Sequence, residues 1–296
     1  MMKRMLAIIT MAALVFGFVL PGASQADSVI NEKLGVPIVV YGSNLSDAEL
    51  ESVKKSLEVE KEAEVEEISV DGNDLVTYIK DGDSKARMYS SAKITRQEAG
   101  TGLVIKIVTE DNITQVTGDM YANAMLTAGI EDAIVEVAAP KKVTGHSALV
   151  GIYKAYEVSG EKLDTDRTDV ANDELNLATK FSEDAGVDSD KVSELLTEIK
   201  KQIAEKNPAT KEEIEQIVSE QLEKLNIELS PADRQLLIDL MDKIRSLDID
   251  FGKLSTQLAD MSDKIKDKLG DIDPGFWEKV KEFFSKFIDS AKKWFE

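Results

Sequence analysis

The sequence holds a single histidine, His146, beside Ser147 in the stretch TGHSAL, and it holds no cysteine. A Cys-His pair is therefore excluded, and a zinc centre of the His- or Cys-rich kind has no ligands to draw on. A Ser-His-Asp triad would have to take His146 as its base. No G-x-S-x-G turn surrounds any serine, so the sequence favours a plainer reading, in which His146 is a polar residue in the first turn of a helix. Paired-carboxylate chemistry stays open because 56 acids are present, yet no spacing singles out a pair.

The aspartate clusters raise the question of calcium. DTDRTDVANDEL starts at Asp164, but Asp169 stands where an EF-hand loop needs glycine and Leu175 where it needs a bidentate glutamate. DGNDL at Asp71 and DGDSK at Asp81 read as tight turns, which favour Asp and Gly for backbone reasons. Loose divalent-cation binding by the acidic surface is compatible with this pattern, but no formed loop is. Neither glycine-rich phosphate motif occurs, so no cofactor is expected.

Elements that would position these residues change character along the chain. Val36 to Gly42, Glu64 to Val70, Ala86 to Gln97, Leu103 to Glu110 and Asp132 to Pro140 are rich in β-branched residues and predict strands. The glycines at Gly100 and Gly102 predict a hairpin between the third and fourth. Helical patterns interleave with them. One follows Ser46 with Glu49 three residues on, one ends at Gly129, and one starts near His146. Tyr121, Tyr153 and Tyr156 sit at helical spacing among aliphatic residues, a core pattern with a partner groove as the alternative. After about Gly160 the chain reads as successive amphipathic helices with start signals at Thr210/Glu213 and Ser230-Pro231. The expected class is α+β: a mixed α/β domain over residues 27–160 with a four- or five-stranded sheet, an all-α domain over 161–272, and a terminal amphipathic helix over 273–296.

The first 26 residues carry an address. Lys3 and Arg4 precede an apolar run from Met5 to Leu20, followed by Pro21-Gly22 and the small-x-small triplet Ser24-Gln25-Ala26. This is the layout of a secretory signal peptide cleaved after Ala26, and the run falls short of the roughly 20 residues that span hydrocarbon. Losing Lys3 and Arg4, with no acid in the same 26 residues, takes the formal net charge from −20 to −22. So acidic a surface repels nucleic acid and anionic lipid at long range. It leaves cationic or apolar partners.

The tail FWEKVKEFFSKFIDSAKKWFE gathers both tryptophans and five of the nine phenylalanines. At ~100° per residue, Phe276, Trp277, Val280, Phe283, Phe284, Phe287, Ile288, Ala291, Trp294 and Phe295 share an arc of about 140°. Lys281 and Lys292 flank one edge of that face and Lys279, Lys286 and Lys293 the other, while acids hold the centre of the polar side. Lysine stems that cover apolar surface while their ammoniums reach phosphate level suit a helix lying on a membrane. Docking on the helical domain is the alternative use of the same face.

VTGDMYANAMLTAGIEDAIVEVAAPKKVTGHSALVGIYKAYE (Val116 to Glu157) resembles the central signature of the YpuA-like family, exported proteins of Gram-positive bacteria without an established molecular function. VVYGSNLSDAEL, TRQEAGTGLVIKIVT and DIDFGKLSTQL resemble that family in the same order. The resemblance implies a Gram-positive envelope or secreted location and supplies no catalytic residues. The expected function is a non-enzymatic interaction protein with an unidentified envelope partner, its C-terminal helix contacting membrane or an apolar surface. A secreted enzyme using carboxylate or Ser-Lys chemistry is the alternative.

Overall fold

A computed structural model describes residues 34–269. The β-branched runs form five strands, β1 (Ile38–Gly42), β2 (Glu66–Val70), β3 (Ser91–Arg96), β4 (Leu103–Ile107) and β5 (Ala133–Ala138). They make one mixed sheet in the order β2-β1-β3-β5-β4, with β3 antiparallel to both of its neighbours and the other pairings parallel. Every residue of β1 is buried, whereas at the edges β2 exposes Glu66, Glu67 and Ser69 and β4 exposes alternate residues to water.

β5 corrects one expectation. Gly100 to Gly102 do not close a hairpin, because β5 lies between β3 and β4. Asp132 holds the two ends apart, its carbonyl accepting from the Gln97 N–H at 3.0 Å and its carboxylate from the Gly102 N–H at 2.7 Å. A run as apolar as AIVEVA gains most in the middle of the sheet, and the intervening turn serves the entry of β5 instead.

Eight of the nine α-helices among the described residues can be placed against their caps. α1 (Asp47–Ser56) begins at Ser46, whose N–H donates to Glu49 Oε2 at 2.9 Å. α2 (Gly72–Tyr78) is the second correction, a helix where DGNDL read as a tight turn. Asp71 accepts from the Asn73 and Asp74 N–H groups at 2.7 and 3.1 Å, and Asp74 returns the bond to the Asp71 N–H at 2.8 Å. Glycine and asparagine in its first turn are poor helix formers, so packing decides. A Cβ at Gly72 would lie 2.1 Å from the Ser84 carbonyl oxygen. α3 (Gly118–Ala128) ends at Gly129 with φ of 94°, and Arg167 donates to the carbonyls of Thr127 and Leu126 in its last turn. α4 (His146–Val158) starts after Gly145.

α5 (Thr165–Glu183) and α6 (Ser189–Lys206) are capped by Asp164 and Asp188. The failed calcium loop is thus a helix start. α7 (Lys211–Lys224) carries the reciprocal bonds of Thr210 and Glu213, and α8 (Pro231–Ser246) has the Ser230 hydroxyl accepting from the Asp233 N–H at 3.1 Å. α9 (Phe251–Leu269) completes the described chain and packs chiefly along α6.

Alternation along β1 divides the layers. Val39 and Tyr41 face α1 in a small cluster with Val53 and Leu57, while Ile38 and Val40 face the main core with α4. Gly151 lets α4 approach the sheet until its missing Cβ would stand 3.3 Å from Val40. The main core runs without interruption from these strands through α3, α5 and α6 to Ile244 of α8. The change at about residue 160 is one of secondary structure, and the apolar interior continues across it.

Candidate functional site

The first turn of α4 opens on a cavity of about 360 Å³ between α2, the loop 80–90 and α5. Its backbone hinge is Gly145, with φ of 106°, where an added Cβ would meet Ile113 and the Tyr121 hydroxyl at 2.8 Å. No other residue fits that conformation and that space. The Tyr121 hydroxyl donates to the Gly145 carbonyl at 2.6 Å, and the Ser90 and Ser147 hydroxyls meet at 2.5 Å. These bonds fix α4 against α3 and β3.

His146 forms part of the cavity wall, as the sequence reading of a polar residue in a first helical turn implies. Its Nε2 lies 3.3 Å from Thr179 Oγ1, and that hydroxyl also reaches the Leu175 and Asn176 carbonyls at 3.1 Å. Burial pushes the imidazole below its ordinary 6.5, against the opposing pull of Glu183. His146 therefore ties α4 to α5 as a neutral ring. Ser147 takes its bonds from Ser90, so the adjacent serine and histidine do not pair as nucleophile and base.

Several polar side chains on the cavity, including Asp81 and Thr144, are uncommitted among the described residues. Arg87, Asn172 and Asn176 line it, and among the described residues their guanidinium and amide groups bond to nothing. Asn172 and Asn176 stand one turn apart on the same face of α5. Leu75, Ile79, Met88 and Val143 supply the apolar lining. Sequence reasoning missed these three residues. Arg87 lay inside an expected strand, and the only signal of the asparagines was their i, i+4 spacing.

A different cluster of charge lies where α3, α5 and α6 meet. Lys200 and Glu174, 3% and 1% exposed, pair at 2.7 Å. Glu174 also accepts from the Thr127 hydroxyl, Lys200 donates to the Asn123 carbonyl at 2.9 Å, and Asn123 donates to Thr197 at 3.1 Å. Burial pulls the Lys200 ammonium below its ordinary value, and Glu174 pulls it back. This group lines neither the cavity beside His146 nor the groove along β4, and its bonds join α3, α5 and α6. Among the described residues no three acids or histidines converge on a point that could hold a metal ion.

A second, larger groove of about 660 Å³ runs between β4, α3 and α9, with Leu103, Ile105, Ala122, Leu126 and Met261 in its lining. The residues of the expected membrane or partner contact, Phe276, Trp277, Val280, Lys281, Phe283, Phe284, Phe287, Ile288, Lys292, Trp294 and Phe295, lie outside the described residues. So does the expected signal segment. Among the described residues no helix is long and apolar enough to cross a membrane.

A mixed five-stranded sheet backed by a helical array, with a cavity at the first turn of α4, defines an α+β protein. The chain belongs to the family described as protein of unknown function (DUF1002), which it matches over residues 41–261. It is 34% identical over 282 residues to the uncharacterized protein YpuA of Bacillus subtilis (strain 168), covering 93% of each chain. No solved structure matches. The family match contains every cavity residue and stops short of Phe276.

Proposed function

We propose that this is an exported protein of the Gram-positive envelope that binds rather than catalyses, taking a small ligand beside His146 and contacting membrane or an apolar partner through residues 276–296. The observation that carries the reading is the cavity itself. Arg87, Asn172 and Asn176 face it without partners, whereas the groups able to act as nucleophile or base, Ser147 and His146, are spent on bonds that hold α4 in place. Export is supported by the basic start, short apolar run and small-residue triplet ending at Ala26. Surface contact is supported by the aromatic face of the tail and its lysine borders.

The tail reading is tested by liposome flotation of residues 27–296 beside residues 27–273. The longer form is expected to float with the vesicles and its tryptophan emission to shift blue. Equal solubility of both forms with no spectral shift would sink the membrane contact. The apolar groove between β4 and α9 is the competing seat for the same face, and a tail held there would keep the protein off lipid.

A further inference from the structure

We infer that the cavity beside His146 takes the carboxylate end of a short peptide, with Arg87 receiving the carboxylate and Asn172 and Asn176 reading the adjoining peptide group. This rests on the binding reading above and names its ligand class.

Arg87 is the first support. Among the described residues the other four arginines are all engaged: Arg96 with Glu161, Arg167 with the carbonyls of α3, Arg234 with Ser219 and Arg245 with Asp242. Arg87 bonds nothing, in a chain with 56 acids to choose from. A guanidinium offers a planar fork that matches a carboxylate with two parallel bonds. Asn172 and Asn176 are the second support. Each amide carries both a donor and an acceptor, the complement of a peptide N–H and C=O. Asn44, Asn112 and Asn123 show the contrast, since each is consumed by a bond to the protein's own backbone.

The rest of the lining sets limits on size and charge. About 360 Å³ is at the small end of ligand cavities, room for a few residues and not for a folded partner. Leu75, Ile79, Met88 and Val143 suit an apolar side chain on the ligand. Asp81 and Asp83 also line the cavity, and their charge opposes a polyphosphate or other polyanion. A single carboxylate meets less of that opposition than a polyanion, and Arg87 is the group that offsets it.

His146 gives a direct readout because it is the only histidine of the chain. The chain lacking residues 1–26 would be titrated with a pool of N-acetylated tripeptides of apolar residues, prepared once with free carboxylates and once as amides. The imidazole resonances of His146 are expected to shift saturably with the acid pool, and the amide pool to bind at least tenfold more weakly. Arg87→Ala should bring the acid pool down to the level of the amide pool, with the melting temperature unchanged because Arg87 is exposed. Asn172→Ala with Asn176→Ala should weaken both pools. Equal binding of the two pools, unaltered by Arg87→Ala, would overturn the carboxylate assignment and leave the binding reading standing. If neither pool moves His146 but a mixture of small amide and carboxylate fragments does, the peptide assignment falls alone. If the fragments also leave His146 unmoved, both fall.

Discussion

The interior of the sheet and the junction of α3, α5 and α6 are equally dry, yet they are held in different ways. Between β1, β3 and α4 the buried surface is chiefly apolar, with Val40, Ile94, Leu149 and Ile152, and the hydrogen bonds of Ser90 to Ser147 lie at its margin. At the helix junction Lys200, Glu174, Thr127, Asn123 and Thr197 add charge and hydrogen bonds to the apolar contacts. An apolar layer accepts any neighbour of suitable shape. A buried ion pair accepts one register, because each oxygen and each ammonium proton has to meet its partner, and an ammonium left alone there costs far more than a lost methyl. The sheet is set in place by strand pairing, whereas between α5 and α6 this polar pairing adds a specific register to the apolar packing.

The comparison breaks most visibly if one partner of the pair is removed. Lys200→Met should cost about 3–5 kcal/mol in urea denaturation, since it strands the Glu174 carboxylate, and adding Glu174→Leu should recover most of that loss. A double variant no more stable than Lys200→Met would show that the junction is not governed by charge pairing. In the apolar region Ile94→Ala should cost about 2–5 kcal/mol through the cavity it leaves, with Ile94→Val costing about 0.5–1.5. Thr210→Ala touches neither region and gives a scale for an ordinary cap, about 1 kcal/mol by the same denaturation.

The smallest effect concerns pH. The folded pKa of His146 is depressed, so its contribution is present above the ordinary 6.5 and is lost as pH falls through the folded value. Melting temperature should drop on acidification from pH 7.5 to 5.5, and His146→Gln, whose amide reaches the place of Nε2 beside Thr179, should flatten that drop. Thermal melts at the two pH values in both proteins check the sign. An identical slope in the variant would assign the pH dependence to other groups.

Much of the fold was legible because its boundaries are written in single residues. Thr210, Ser230, Gly129 and the Glu49 that faces Ser46 each satisfy backbone groups at a helix end, and such bonds are local enough to be read from spacing. The order of the strands was not legible. Nothing within Gly100 to Gly102 says that Asp132 will pin both flanks of the turn, since that partner arrives from elsewhere in the chain. α2 was hidden for a related reason, as the demand for Gly72 is set by the approach of Ser84. At the cavity, the type and helical setting of His146 could be read from its neighbours. Arg87, Asn172 and Asn176 could not, because their significance is the absence of any partner within the fold.

The position of β5 between β3 and β4 also orders assembly in time. Ser91 pairs with Ala138 and Leu103 with Ala133, so one late segment closes two gaps at once. A chain growing from its N-terminus carries β3 with one open edge, and β4 with none of its ladder, until the segment after Asp132 has emerged. Contacts of this separation fold slowly, and unpaired strand edges invite pairing with other chains in the interval. Truncation before Asp132 should therefore yield an aggregating fragment, and any factor that shields nascent strands would act on this protein over the interval between β4 and β5.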